Sequence, residues 1–150
     1  MNKLNAMQIL ELIPHREPFI FVRDANIISE IAISGTAYWD ESHPILKGHF
    51  PHQPVVPGIC QVEACAQLAG VLLAWNARQS NISRNTLGVL GAIRQAKFQG
   101  LLLPGSSLNI ICNLRLINQS LCLVAATGLS NEKTALTCEF VIGFRTSAIF

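Results

Sequence analysis

The stretch that most constrains this chain runs from Val55 to Trp75, VVPGICQVEACAQLAGVLLAW, apolar on all sides of a helix and carrying one carboxylate, Glu63, near its middle. A helix that is apolar all round is buried by its own protein or by lipid. An ionised side chain inside it costs several kcal/mol, roughly, unless it is paired or its pKa is shifted. A carboxylate kept there is a candidate for acid/base work. Upstream stands His49, in Lys47-Gly48-His49-Phe50-Pro51. A histidine and a buried carboxylate are the minimum set for proton transfer. At about 20 residues the helix is just long enough for a bilayer. Gln61, Glu63 and Gln67, however, lie on neighbouring turns, no cationic flank precedes them, and the amphipathic strands elsewhere would have nothing to pack against. The expectation is a core helix and no membrane span.

What surrounds this helix is strand material. Asn5 to Ile13 carries apolar residues at helical spacing behind a capping asparagine and is stopped by Pro14. Phe19 to Val22 and Asn26 to Trp39 are rich in Phe, Ile, Val, Thr, Tyr and Trp and read as a hairpin. Asp40 to Pro57 is a loop with five prolines or glycines and three of the four histidines. Pro57-Gly58 opens the apolar helix, which runs to about Asn76 or Arg78. Then come Thr86 to Phe98, Ser107 to Ile117, Leu121 to Leu129 and Ala135 to Phe144. In these, Leu108, Ile110, Cys112, Leu114 and Leu116, and again Leu136, Cys138, Phe140, Ile142 and Phe144, alternate along one face. Pro104-Gly105, Asn118-Gln119 and Asn131-Glu132-Lys133 supply turns. The expected architecture is one α+β domain, residues 1–150, with a curved antiparallel sheet wrapped around one long central helix.

Half the residues are hydrophobic and 13% are charged. So little polar surface implies an apolar face buried against another subunit. A net charge of +2, without basic runs among aromatics, argues against a nucleic-acid partner. Met1 to Leu12 lacks the apolar run of a secretory signal, so a cytoplasmic location is expected. The five cysteines form no C-x-x-C pair and sit among apolar neighbours, as reduced buried hydrophobes do. His43, His49 and His52 match no compact metal-ligand spacing and lack a fourth partner, so no metal is expected. His15-Arg16, between the first helix and strand, reads as a fold-supporting pair.

From Gly48 the chain reads GHFPHQPVVPGICQVEACAQLAG, and this resembles the beta-hydroxyacyl-(acyl carrier protein) dehydratase family, FabZ type, with the hotdog fold. Ile13-Pro14-His15-Arg16-Glu17-Pro18-Phe19, Ala96-Lys97-Phe98 and Leu103-Pro104-Gly105 resemble the family as well, in the family's order. The resemblance implies dehydration of a 3-hydroxyacyl chain to a trans-2-enoyl chain, with the substrate on the phosphopantetheine of an acyl carrier protein and no other cofactor. His49 and Glu63 fall on the catalytic positions. A neutral imidazole suits removal of the proton beside the carbonyl; a carboxyl whose pKa an apolar wall raises suits protonation of the departing hydroxyl. The backbone N–H of Gly58, in the first helical turn, is assigned to the thioester carbonyl, with no side chain there to obstruct approach. Gln67, one turn beyond Glu63, orients its carboxylate. Phe50 and Pro57 join the substrate-binding wall.

The resemblance further implies a homodimer with shared active sites, His49 from one chain and Glu63 from the other, with a trimer of dimers as an open further level. Arg94 and Lys97, with Arg78 and Arg84, are candidates for contact with the acidic carrier. The chain departs from the family at Val22-Arg23-Asp24, at Gln99-Gly100-Leu101 and at Ser106, none of which touches the acid/base pair. These rim changes suit a specialised carrier in a polyketide or other secondary pathway as well as the fatty-acid system. The alternatives are a hotdog thioesterase, a hydratase of coenzyme A esters, or a non-catalytic acyl-binding subunit.

Overall fold

The structure, a computed structural model, describes residues 2–80 and 86–146. In chain order the elements are β1 (Asn2–Leu4), α1 (Ala6–Leu10), β2 (Val22–Ser29), β3 (Ala32–Tyr38), α2 (Gly58–Gln79), β4 (Thr86–Phe98), β5 (Ser107–Asn118), β6 (Leu121–Ser130) and β7 (Lys133–Thr146). The strands form one antiparallel sheet in the order β1-β2-β3-β5-β6-β7-β4. Strands seven abreast and flat would span about 29 Å between the outermost axes. Yet α2, about 10 Å across, touches every strand from β2 to β7. The sheet therefore curls around the helix, and the fold is a hotdog.

Residue periodicity explains the two faces. Leu108, Ile110, Cys112 and Leu114 of β5 and Leu136, Cys138, Phe140 and Ile142 of β7 are buried against α2, while Asn109, Asn113 and Arg115 face water. The alternation fails at Leu116, which is exposed near the β5–β6 turn. The helix in turn buries Cys60, Val62, Ala64, Cys65, Leu68, Ala69, Val71 and Leu72. Gly35 of β3 lets it come this close: a Cβ there would stand 2.4 Å from the Asp24 carbonyl oxygen and 2.8 Å from Leu68 Cδ1.

Several expected boundaries move. The first helix is shorter than Asn5–Ile13, because Leu12 and Ile13 both donate their N–H to the Ile9 carbonyl and close it in a turn. Its cap is as read, with Asn5 and Gln8 exchanging side-chain and backbone bonds at 3.0 and 2.9 Å. The first hairpin turns at Glu30-Ile31, and its first strand is continuous from Val22 to Ser29, across the gap between Phe19–Val22 and Asn26–Trp39. Three residues of β1 pair with β2 without any sequence signal, and Pro44–Leu46 forms one 3-10 turn inside the long loop. Between β6 and β7, Asn131 and Glu132 have φ of 49° and 63°, the left-handed pair that a two-residue hairpin turn requires.

Candidate active site

Glu63 lies on the face of α2 formed with Ala66, Gln67, Gly70, Leu73, Ala74 and Ala77, which lines a cavity of about 780 Å³. The cavity continues past Leu114, Leu116, Cys122 and Ile142 toward the β5–β6 turn. Its wall is small or apolar along the helix, and its acidic end holds the polar cluster. The Glu63 side chain is 19% exposed, toward this cavity, so it sits at the mouth of an apolar wall rather than sealed within one.

Gln67 is buried and ties three elements together. Its Oε1 accepts from the Phe21 N–H at 2.9 Å, and its Nε2 donates to the Phe19 carbonyl at 2.9 Å and to Glu63 Oε1 at 3.0 Å. The contact expected from the one-turn spacing is thus present, and Gln67 itself is held by the strand entering β2. The same carboxylate oxygen takes a second contact, from His15 Nε2 at 3.2 Å. Sequence reasoning assigned His15 and Arg16 together to fold support. Arg16 does this, donating to the carbonyls of Leu10, Ile13 and His15 at 3.0, 2.9 and 2.7 Å. His15 instead reaches the carboxylate, and the one sequence signal for it was its place in the segment Ile13 to Phe19.

His49 stands in the loop before α2, where the chain clamps it reciprocally. The Val55 N–H donates to the His49 carbonyl at 3.0 Å, and His49 Nδ1 lies 2.9 Å from the Val55 carbonyl oxygen. A carbonyl can only accept, so Nδ1 carries a proton, and in the neutral ring Nε2 is the atom left with a lone pair. Phe50 stacks on the imidazole with ring centroids 4.3 Å apart. Within the chain His49 makes no contact of 4 Å or less with Glu63, and it does not line the cavity that Glu63 faces.

Pro57 is the N-cap of α2, one residue before the helix proper, and offers no side-chain cap. The Gly58 N–H is one of the first-turn donors without an intrahelical partner. Its missing side chain serves packing rather than open approach: a Cβ would stand 2.7 Å from a ring carbon of Phe98, whose ring occupies that space. Of the rim cations, Arg94 faces Glu139 at 3.6 Å, Arg78 bonds the Glu11 carbonyl, Lys97 is exposed on β4, and Arg84 lies outside the described residues. His43 is buried, its Nδ1 accepting from the Ile45 N–H at 3.3 Å, while His52 is exposed. Among the described residues no group of three His, Cys, Asp or Glu side chains is placed to hold a metal ion.

Comparison with known proteins agrees with this architecture. Residues 26–134 match the ApeI-like family, described as ApeI dehydratase. The chain is 31% identical over 148 residues to the 3-hydroxyacyl-[acyl-carrier-protein] dehydratase FabZ of Lactiplantibacillus plantarum, covering 95% of this chain and 97% of that protein. It is 38% identical over 108 residues to FabZ of Rickettsia felis, covering 71% and 72%. Among solved structures, the dehydratase heterocomplex ApeI:P of Xenorhabdus doucetiae superposes with a TM-score of 0.80 at 18% identity, covering 93% of this chain and 91% of that one. The E. coli PaaI protein shares the fold at a TM-score of 0.58 and 13% identity, over 79% and 82%. The chain belongs to the ApeI-like family of FabZ-type hotdog dehydratases, enzymes of the hydro-lyase class.

Proposed function

We propose that this protein dehydrates 3-hydroxyacyl chains carried on an acyl carrier protein, with His49 as general base and Glu63 as general acid. The observation that carries the assignment is the opposed preparation of the two groups. The Val55 carbonyl holds the proton on His49 Nδ1 and leaves Nε2 basic, while Glu63 is held by donors at one oxygen and faces the cavity. His49 Nε2 removes the proton from the carbon next to the thioester carbonyl, and the electron pair moves onto the carbonyl oxygen, which the Gly58 N–H and the α2 dipole stabilise. As the carbonyl re-forms, the bond from the third carbon to its hydroxyl breaks, and the Glu63 proton leaves with that oxygen as water. Acid, base and one carbonyl donor suffice for the step. The trans-2-enoyl chain remains on the phosphopantetheine, its tail along the α2 face of the cavity.

The separation of His49 from Glu63 within one chain supports a site completed by a second copy. The surface proposed for it is β4, at the end of the sheet, whose outer edge has no strand partner among the described residues and whose Val89, Ile93 and Phe98 are exposed. Lys97, on the same strand, is the exposed cation best placed to meet an acidic carrier. Five free, buried cysteines suit a reducing, cytoplasmic location.

The experiment is an intact-mass assay on the purified protein with a 3-hydroxyacyl carrier substrate. The expected product is lighter by one water, and His49→Ala and Glu63→Gln each abolish its formation while keeping wild-type circular dichroism. Free acid as the product would reassign the protein as a thioesterase.

A further inference from the structure

We infer that His15 is a positioning residue for the reaction, acting through Glu63 by sorting its two oxygens into one that is held and one that transfers the proton. The inference rests on the role of Glu63 as general acid proposed above. Two nitrogens converge on a single atom: Gln67 Nε2 donates to Glu63 Oε1 at 3.0 Å, and His15 Nε2 stands 3.2 Å from the same oxygen as an ion-pair contact. Among the described residues Oε2 takes no hydrogen bond. A carboxyl group whose Oε1 accepts from Gln67 and faces the His15 ring nitrogen carries its proton on Oε2, so the acid proton is presented away from those nitrogens and toward the cavity.

The tautomer of His15 follows from its surroundings. A lone pair on Nε2 facing a carboxyl oxygen at 3.2 Å would be repelled, so Nε2 bears a proton. His15 Nδ1 is buried and has no hydrogen-bond partner. A proton there would be a buried orphan donor, which costs more than leaving a bare lone pair. His15 is therefore a single-donor imidazole aimed at Oε1. Its backbone is fixed by the Arg16 guanidinium, which binds the carbonyls on either side of the turn that carries it.

The donor matters most when the proton leaves. Glu63 then becomes a carboxylate, and the attraction between the His15 N–H dipole and Oε1, 3.2 Å apart, grows as charge develops on that oxygen. The bond to Gln67 does the same from within the helix, but Gln67 is also committed to Phe19 and Phe21 and cannot be changed without disturbing β2. The His15 side chain is 28% exposed and makes no side-chain hydrogen bond among the described residues, so its replacement isolates the effect of the contact with Glu63.

The test is steady-state dehydration of a 3-hydroxyacyl carrier substrate by the full chain and three variants. The amide nitrogen of glutamine reaches the place of His15 Nε2, whereas that of asparagine reaches only the place of Nδ1. His15→Asn is expected to lower kcat about ten- to hundredfold, leaving KM within about twofold, and His15→Gln to restore most of the loss. Wild-type kcat in His15→Asn, equal loss in both variants, or a loss confined to KM would overturn the positioning role. Thermal melts of both variants show whether a loss comes from folding; a destabilised His15→Asn beside a folded, fully active His15→Gln still supports the donor. Full turnover by Glu63→Gln would instead overturn the acid assignment, independently of how the His15 variants behave.

Discussion

At the scale of residues, Glu63 shows how one carboxylate can be kept in an otherwise apolar helix. Of its polar neighbours on the helix, Gln61 donates to the Val56 carbonyl and only Gln67, one turn away, donates to Glu63; the second contact comes from His15, 48 residues earlier. The Gln67 hydrogen bond and the His15 contact, with the side chain part-exposed to the cavity, offset part of the desolvation that the sequence poses. The charge has a consequence for Cys60, one turn before it. Burial, and then the negative charge of Glu63, push the Cys60 thiol from its ordinary 9.0 up to about 11. Since the thiolate is the reactive form, the folded protein at pH 8 holds about a hundredth of the ordinary thiolate fraction at this position. Alkylation of Cys60 by iodoacetamide, followed by peptide mass spectrometry, is expected to be slower than for a free cysteine by at least that factor and to accelerate only as the pH approaches 11. Ordinary labelling at pH 8 would contradict the burial of this first turn.

The elements are held together at a few points of very close approach. α2 seats Leu68 on the bare backbone of β3 at Gly35, and the Phe98 ring at the end of β4 fills the space beside Gly58 at the start of the same helix. These two contacts set the height of the helix above the sheet and the position of its first turn. A Gly35→Ala substitution leaves the new methyl 2.4 Å from the Asp24 carbonyl oxygen, a backbone atom that yields only if β2 moves. Overpacking of this kind costs about 1–3 kcal/mol. Urea unfolding is expected to show a lower midpoint with an unchanged slope. An unaltered midpoint would mean that the hairpin shifts without cost.

At the scale of the whole molecule, the sheet ends unequally. One edge is the three-residue β1, too short to template a partner; the other is β4, thirteen residues long with exposed apolar side chains. In the proposed dimer a second copy would pair there, extending the sheet and supplying its own His49 loop to the cavity of Glu63. Mixing His49→Ala with Glu63→Gln tests this directly. Random re-association of two inactive chains is expected to recover about a quarter of wild-type activity, since half the dimers would carry one intact site of two. No recovery in a mixture shown to exchange subunits would place both groups in one chain.

Much of this arrangement was legible in the residues because it depends on short-range pattern. The period-2 alternation of Leu108 to Leu114 and of Leu136 to Ile142 announced the strands, the all-round apolar Val55 to Trp75 announced the core helix, and the one-turn spacing of Glu63 and Gln67 announced their hydrogen bond. Such signals survive because side-chain direction follows backbone geometry within a few residues. β1 was not legible, since three residues acquire strand character only from the neighbour they pair with. Leu116 kept the period of its strand yet is exposed and lines the cavity that the α2 face also lines. The sequence by itself determined which residues are apolar, where the helix starts and which carboxylate is out of place. Only the tertiary structure decided that His15 meets that carboxylate, that Phe98 is the reason for Gly58, and that His49 and Glu63 stand apart in one chain. Each of those depends on how far the sheet curls around α2, a property of the packed whole that no local stretch encodes.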